Sequence, residues 1–330
     1  MPVDIKNFIS KLQLTDDGIH LDDSVLWFDA YKNRELSFIS SAQKHSTSSQ
    51  TKIIATEETV KIIEHFGQKP NALICQYYRP FSLGRLRMEL LPSGSVLGGA
   101  SLYVEKDQES TLYAPDIQSQ AIPTEKPLAL KSAHTLILKA HYPDLNVPID
   151  RNLEKERLLK RITEESSRGY PLIFCKAFGT AQEISACLQK ENLPISVHKS
   201  IYTFHKFYEN YGTKVGDFSL LPSSKNNKVL LLPATYNIYK KFSAEFKDRP
   251  KFLIEEPSEA SSLTGYFPNL QDKFLINQFC DLNSLSPLIA SVKPKNLLIF
   301  GPYAMRYIAH FKEQIPHVKA LYSSDQPLLL

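Results

Sequence analysis

The stretch Lys176-Ala177-Phe178-Gly179-Thr180 joins an apolar strand, Leu172 to Cys175, to a helix expected over Thr180 to Lys190. A helix opened by glycine and threonine after a strand can offer free main-chain N–H groups to a phosphate. Lys176, Gly179 and Thr180 are therefore nucleic-acid-binding candidates, although the same turn reads equally well as a plain βα connection. His198 and Lys199 begin a second helix, expected from Ser200 to Tyr211, that also carries His205 and Lys206. Imidazole and ammonium groups there can touch a phosphate backbone, and a solvated charged face accounts for them as well. Aromatics interleave with cations at Tyr77, Tyr78 and Arg79, and again along Tyr202, Phe204, Phe207, Tyr208 and Tyr211. Such sets stack unpaired bases, and they also build ordinary cores.

The elements that must position these residues fall into two patterns. In the first part of the chain, Val25 to Phe28 and Leu36 to Ile39 are apolar runs bounded by Asp22, Asp23 and Asn33, the mark of buried strands. Arg85 to Leu91 alternates, with Leu86, Met88 and Leu90 on one face and Arg87 and Glu89 on the other. Between them Val60, Ile63 and Phe66 recur at helical spacing over Thr56 to Phe66, and Gly67 is placed to stop that helix. After Asp144 strands and helices alternate. A helix is expected over Asn152 to Glu165 with Leu158, Leu159 and Ile162 inward, and strands at Ile195 to Val197, Val229 to Leu232 and Phe252 to Ile254. A helix over Tyr239 to Phe246 belongs to the same series. This rhythm predicts a small parallel sheet covered by helices. A last βα unit follows, strand Leu297 to Phe300 and helix Ala304 to Lys312. The polar segment Ser219 to Asn227 reads as a mobile loop.

Composition narrows the function classes. At 330 residues and 42% apolar content the chain can fill one large core or two modest ones. No run approaches the ~20 apolar residues of a membrane span, and Met1 to Leu12 is too polar for a secretory leader. Cys75, Cys175, Cys187 and Cys280 form no C-x-x-C pair, so reduced, packed thiols in a cytoplasmic protein are expected. A net charge of +4 permits a nucleic-acid partner without demanding one.

Three motifs carry a resemblance. They are Phe38-Ile39-Ser40-Ser41-Ala42-Gln43-Lys44-His45-Ser46, Leu91-Pro92-Ser93-Gly94-Ser95-Val96-Leu97-Gly98-Gly99-Ala100, and Leu112-Tyr113-Ala114-Pro115-Asp116. They resemble the metallo-β-lactamase signatures S-H-x-H-x-D-H, P-A-G-H-x-L-G-S-A and T-G-D. Further along, Cys175 to Glu183 looks like an L-G-K-A-Q-E segment and Val197 to Tyr202 like V-H-G-A-I-Y. Asn277 to Asp281 sits where the family has S-D-H-A-D, and Val292-Lys293-Pro294 with Ile299 to Tyr303 where it has V-x-P and T-H-G-F. In order and spacing the chain is similar to the bacterial DNA-ligase-associated exonuclease, or mRNA 3′-end-processing-factor-like, group of the metallo-β-lactamase/β-CASP superfamily.

The resemblance implies an α/β fold: an αββα metallo-β-lactamase sandwich with an inserted β-CASP-like α/β domain. The sandwich would comprise residues 1–145 and 271–330, and the insertion residues 146–270. It also implies which positions would hold two zinc ions, and there the ligands are mostly missing. Ser41, Gln43, His45 and Ser46 stand in the first motif, Ser95 in the second, and Phe279 and Gly301 at two later histidine positions. Asp116 is retained, and Lys139 replaces an acid at the end of the Leu136 to Leu138 strand. Serine and glutamine are poor zinc ligands, so neither zinc nor another cofactor is expected. An ammonium at Lys139 would pair with Asp116 and supply the positive charge that metals otherwise give.

The expected protein is thus a pseudoenzyme that binds DNA or RNA, or a partner such as an active nuclease, ligase or helicase, with no membrane partner. At family level, an active subunit paired with a degenerate one has precedent in the eukaryotic pre-mRNA cleavage complex. The alternative is a hydrolase or exonuclease with a relocated single-metal or metal-free site built from Asp116, His45 and Lys139.

Overall fold

The computed structural model describes residues 12–15, 17–44, 51–144, 149–165, 169–221, 228–257 and 267–321. Nineteen strands and seven helices lie among these residues. They divide into two compact units: Met1–Ser119, Lys126–Leu145 and Phe279–Leu330 form the first, and Gln120–Glu125 with Asn146–Gln278 the second. No helix among the described residues is long and apolar enough to cross a membrane.

Unit 1 contains two mixed sheets. The first runs in order β1 (Leu12–Thr15), β2 (Gly18–Leu21), β3 (Leu26–Phe28), β4 (Leu36–Phe38), β5 (Lys52–Ala55) and β6 (Asn71–Ile74). The second has β7 (Phe81–Leu83) at one edge, then β8 (Leu86–Pro92), β9 (Ala100–Lys106), β10 (Glu109–Tyr113), β11 (Thr135–Lys139), β18 (Asn296–Phe300) and β19 (His317–Ala320). Ile19, Phe28, Phe38 and Ile54 of the first sheet pack on Met88, Leu90, Leu102, Tyr113, Ile137 and Leu298 of the second, forming a common core. Helix α1 (Glu57–His65) covers the outside of the first sheet through Val60 and Ile63 against Ile39, Ile53 and Ala55. Helices α6 (Leu282–Val292) and α7 (Ala304–Phe311) cover the outside of the second, with Leu285, Ile289, Tyr307 and Phe311 on Leu112, Leu136, Leu138 and Leu297. Each sheet is thus buried on both faces, which is why its central strands read as continuous apolar runs.

The local signals behind these elements hold in detail. The Thr56 hydroxyl caps α1 by accepting from the Thr59 amide, and Gly67 stops it at φ 91°. In β8 Leu86, Met88 and Leu90 are buried and Arg87 is exposed, as the alternation predicts.

Unit 2 is a six-stranded, wholly parallel sheet. Its order is β14 (Phe218–Leu220), β13 (Ile195–Val197), β15 (Val229–Pro233), β12 (Leu172–Cys175), β16 (Lys251–Glu255) and β17 (Asp272–Leu275). One face is covered by α2 (Arg151–Glu165), α3 (Thr180–Lys190) and α4 (Lys199–Asn210), through Leu158, Ile162, Ile184, Leu188 and Ile201. On the other face α5 (Tyr236–Glu245) applies Tyr239 and Phe242 to Phe174, Leu230 and Leu232. Helices therefore wrap a parallel sheet on both sides, as the strand–helix rhythm requires. Two boundaries differ from the sequence expectation. Ser219 and Leu220 belong to edge strand β14, and residues 222–227 of that polar segment lie outside the described residues. Asp272–Leu275 pairs with β16 and so belongs to unit 2.

Candidate functional site

Strands β10, β11 and β18 run parallel as neighbours, so their carboxyl ends finish side by side in unit 1. Parallel strand ends of this kind are where α/β folds gather chemistry. The loop after β10 carries Asp116, β11 ends at Lys139 and leads into His141, and Gly301 follows β18.

Single backbone bonds lace the neighbouring loops together. The Ala100 amide donates to Ser40 O (2.8 Å), Gln118 N to Ser93 O (2.9 Å) and Ala114 N to Ile137 O (3.0 Å). Ala140 N donates to Phe300 O (2.8 Å), and Cys280 N to Ile117 O (2.7 Å). The stretches around Ser40, Ser93, Asp116, Lys139, Cys280 and Phe300 are thereby stitched to one another. Buried Asp29 anchors the first of them: its carboxylate accepts from Ser40 N (2.8 Å), Ser40 Oγ (2.7 Å) and the Tyr113 hydroxyl (2.8 Å). Gly301, at φ 102°, is forced to be glycine, since a Cβ there would come within 2.9 Å of the Ala140 carbonyl.

At the centre, His141 Nε2 lies 2.9 Å from Asp116 Oδ1 and 2.8 Å from the Pro115 carbonyl. The hydrogen bond runs from Nε2 to the Pro115 carbonyl, and the Asp116 carboxylate lies alongside. The Phe279 ring stacks on the imidazole with centroids 4.1 Å apart and planes at 25°, and the Phe279 amide donates to the Tyr142 hydroxyl (3.2 Å). Asp116 is buried, and the His141 side chain is 10% exposed. Burial is the main influence on His141, holding it below the usual imidazole range; Asp116 pulls the other way and the Lys139 charge adds to the lowering. The Tyr113 phenol is held well above its usual value, first by burial and then by Asp29 and Asp116. Asp116 therefore sits against a neutral imidazole and near a neutral phenol. With Nε2 carrying the proton, Nδ1 is the acceptor of that tautomer.

The other selected positions are less chemically equipped. Ser41 is buried, and its hydroxyl has no hydrogen-bond partner among the described residues. Ser95 Oγ shares a 2.9 Å bond with Ser93 Oγ. Gln43 is half-buried in a short 3-10 turn, Ala42–Lys44. His45 and Ser46 lie outside the described residues. Among the described residues no three His, Cys, Asp or Glu side chains gather as a metal would require. Asp116 and His141 are two donors, with one nitrogen given to a proton, and a zinc ion takes three or four protein ligands. This described donor set does not fit a zinc pair.

His141 is the residue that sequence reasoning missed. Its signal was positional: it lies two residues past the end of a central parallel strand, next to the strand whose loop holds the retained aspartate.

In unit 2 the nucleic-acid-binding candidates are mostly engaged internally. The Gly179 amide, at φ 86°, donates to Gln182 Oε1 (2.6 Å), and Ala181 N donates to Lys176 O (3.1 Å). Thr180 is buried, and Lys176 Nζ lies 2.7 Å from Glu256 Oε2. His198 caps α4, its Nδ1 accepting from the Ser200 amide (3.2 Å), while Lys199 is exposed. His205 is buried against Ser185 Oγ (2.7 Å), Gln182 Nε2 (3.0 Å) and Ile201 O (3.1 Å). Phe204 stacks on Phe178 at 4.7 Å, and the Tyr208 hydroxyl donates to Glu125 (2.6 Å). In unit 1 the Tyr77 hydroxyl donates to Gly99 O (2.9 Å), whereas Tyr78 is exposed. Tyr77, Phe204 and Tyr208 are therefore packing residues.

Comparison with known proteins adds three findings. No family model matches the chain. Over 203 residues, 59% of this chain, it is 21% identical to a protein from Opitutus terrae named "Probable DNA ligase", and the match spans 20% of that protein's length. A crystal structure of a protein of unknown function from Enterococcus faecalis V583 is similar at a TM-score of 0.58 and 10% identity, covering 80% of this chain and 74% of the other. That likeness is one of fold.

Proposed function

We propose that this chain is a non-catalytic relative of the metallo-β-lactamase/β-CASP nucleases that works by binding nucleic acid, in the cytoplasm and without zinc or another cofactor. The observation that carries the reading is the Asp116–His141 pair under the Phe279 ring. The retained aspartate of the family pattern meets a neutral imidazole covered by an aromatic face. On this reading unit 1, with a helix layer outside each of two facing sheets, is the metallo-β-lactamase-like sandwich, and unit 2 is the β-CASP-like insertion. The distant likeness to a protein named as a DNA ligase supports a place in DNA processing. Partners of the same reading are an active nuclease, ligase or helicase.

The test is fluorescence anisotropy with single-stranded and duplex DNA and RNA over a salt series, alongside a nuclease assay with added zinc or manganese. Affinity should fall steeply with salt because phosphate contacts release counterions, and no cleavage should appear. A flat salt response, or no binding at low salt, replaces nucleic acid with a protein partner. The 2.9 Å Asp116–His141 contact also favours a second reading, a hydrolase using these groups with His45 and Lys139. Cleavage abolished by Asp116→Ala would establish that reading and remove the first.

A further inference from the structure

Residues 65–88 contain Lys69, Arg79, Arg85 and Arg87 but no aspartate or glutamate. The acids at either end are already paired, Glu64 with Lys61 and Glu89 with Lys131, both at 2.9 Å. Lys69, Arg79 and Arg85 have no carboxylate partner among the described residues, and Arg87 has only Glu105 at 3.9 Å. This one stretch supplies an edge strand to both sheets of unit 1, β6 to the first and β7 to the second.

Strand β6 is a four-residue edge, entered from Lys69-Pro70, that carries no charge or proline of its own. Natural edges are blunted by charges, proline or a bulge, whereas β6 reads Asn71-Ala72-Leu73-Ile74. Successive side chains point to opposite faces, yet Leu73 and Ile74 are each 46% exposed, so both faces of the edge are open. Phe66 and Tyr78, at 61% and 57%, extend the apolar surface to either side. The Asn71 and Cys75 amides donate inward, to Thr51 O (2.7 Å) and Ala55 O (3.0 Å). By alternation the Ala72 and Ile74 amides face the open side, where they can pair with another strand.

We infer that β6 is a docking edge for an extended, acidic segment of a partner protein, which adds a strand to the first sheet of unit 1. Main-chain donors and acceptors at the edge recognise a peptide backbone, and apolar partner residues cover Leu73 and Ile74. Partner carboxylates meet Lys69, just before the strand, and Arg79, just after it, and extend toward Arg85 at the turn between β7 and β8. A second copy of this chain is disfavoured, because pairing β6 with itself would bring two sets of cations together with no acid between them. The inference is independent of the Asp116 site.

A random dodecapeptide display library, panned on the full-length protein and counter-selected on Ile74→Pro, tests it. Proline there removes an outward N–H that the fold does not use. Enriched sequences should carry adjacent apolar residues, one for each face of the edge, flanked by aspartate or glutamate. The best of them, synthesised with a fluorophore, should bind wild type at least tenfold more tightly than either Ile74→Pro or the Arg79→Glu/Arg85→Glu double variant. Superimposable thermal melts should accompany that loss, and the exposed double variant keeps the test decisive if the proline variant misfolds. No enrichment, enrichment of neutral or basic sequences, or equal binding to the double variant overturns the inference. So does displacement of the peptide by oligo(dT), which would make the face a nucleic-acid site. Sedimentation showing dimers that only Ile74→Pro abolishes would likewise overturn it in favour of a second copy.

Discussion

Two largely enclosed histidines, His141 in unit 1 and His205 in unit 2, show how one side chain serves different ends. Burial is the first influence on both, and both are held below the usual imidazole range, His205 at about 4. Their neighbours then separate them. His205 meets a serine hydroxyl, a glutamine amide and a main-chain carbonyl, all neutral dipoles that fix the contact between α3 and α4. His141 meets the Asp116 carboxylate at 2.9 Å under an aromatic ring. A buried imidazole among neutral partners is a structural peg. One beside a carboxylate at the ends of parallel strands is equipped for chemistry.

The largest effect that would test this contrast is acid destabilisation through His205. Its folded pKa lies below the unfolded value of about 6.5, so below that pH the unfolded chain takes up the proton more readily. Stability present above pH 6.5 is therefore lost as pH falls toward 4, by about 3 kcal/mol in all at 1.36 kcal/mol per unit. Urea denaturation at several pH values should show this slope, and His205→Asn should flatten it. At neutral pH, His205→Ala should cost about 2–3 kcal/mol through the cavity and the orphaned Ser185 and Gln182 groups, read as a shift in the urea midpoint. An unchanged midpoint would mean that His205 is no peg.

A smaller effect separates the other histidine. Asp116→Asn removes the carboxylate influences that raise His141 and leaves the Pro115 carbonyl, so its titration, followed by NMR of the ring protons, should move further down. An upward movement would show that the carboxylate is not what faces the imidazole. The accompanying change in stability should be about 1 kcal/mol, the scale of one buried hydrogen bond. The smallest effect belongs to the surface near His205. Lys206 and Glu209 pair at 2.7 Å in solvent, and Lys206→Ala should alter the urea midpoint by less than about 0.5 kcal/mol. A larger loss would mean that the helix surface, and not the buried imidazole, holds this region.

Legibility differed across the molecule for physical reasons. Strands buried on both faces, such as β12 and β18, announced themselves as continuous apolar runs, and α1 showed its stripe, its Thr56 cap and its Gly67 stop. The short edge strands β6, β14 and β17 did not, because pairing with a neighbour makes them strands rather than any pattern of their own. At the site, the family resemblance marked the loops after β4, β8 and β10. It could not reveal that His141 turns onto Asp116, nor that the Gly179 amide is taken by Gln182 and so withdrawn from any phosphate.

The sequence by itself determined the alternation of elements, the caps and the types of side chain at the strand ends. Those follow from periodicity and local backbone preference, which act over a few residues. Tertiary structure alone decided which groups meet: the Asp116–His141 contact spans a strand and a long loop, and the open face of β6 depends on where the sheet stops. Such pairings are fixed by how strands register across the whole core, and no local pattern encodes that.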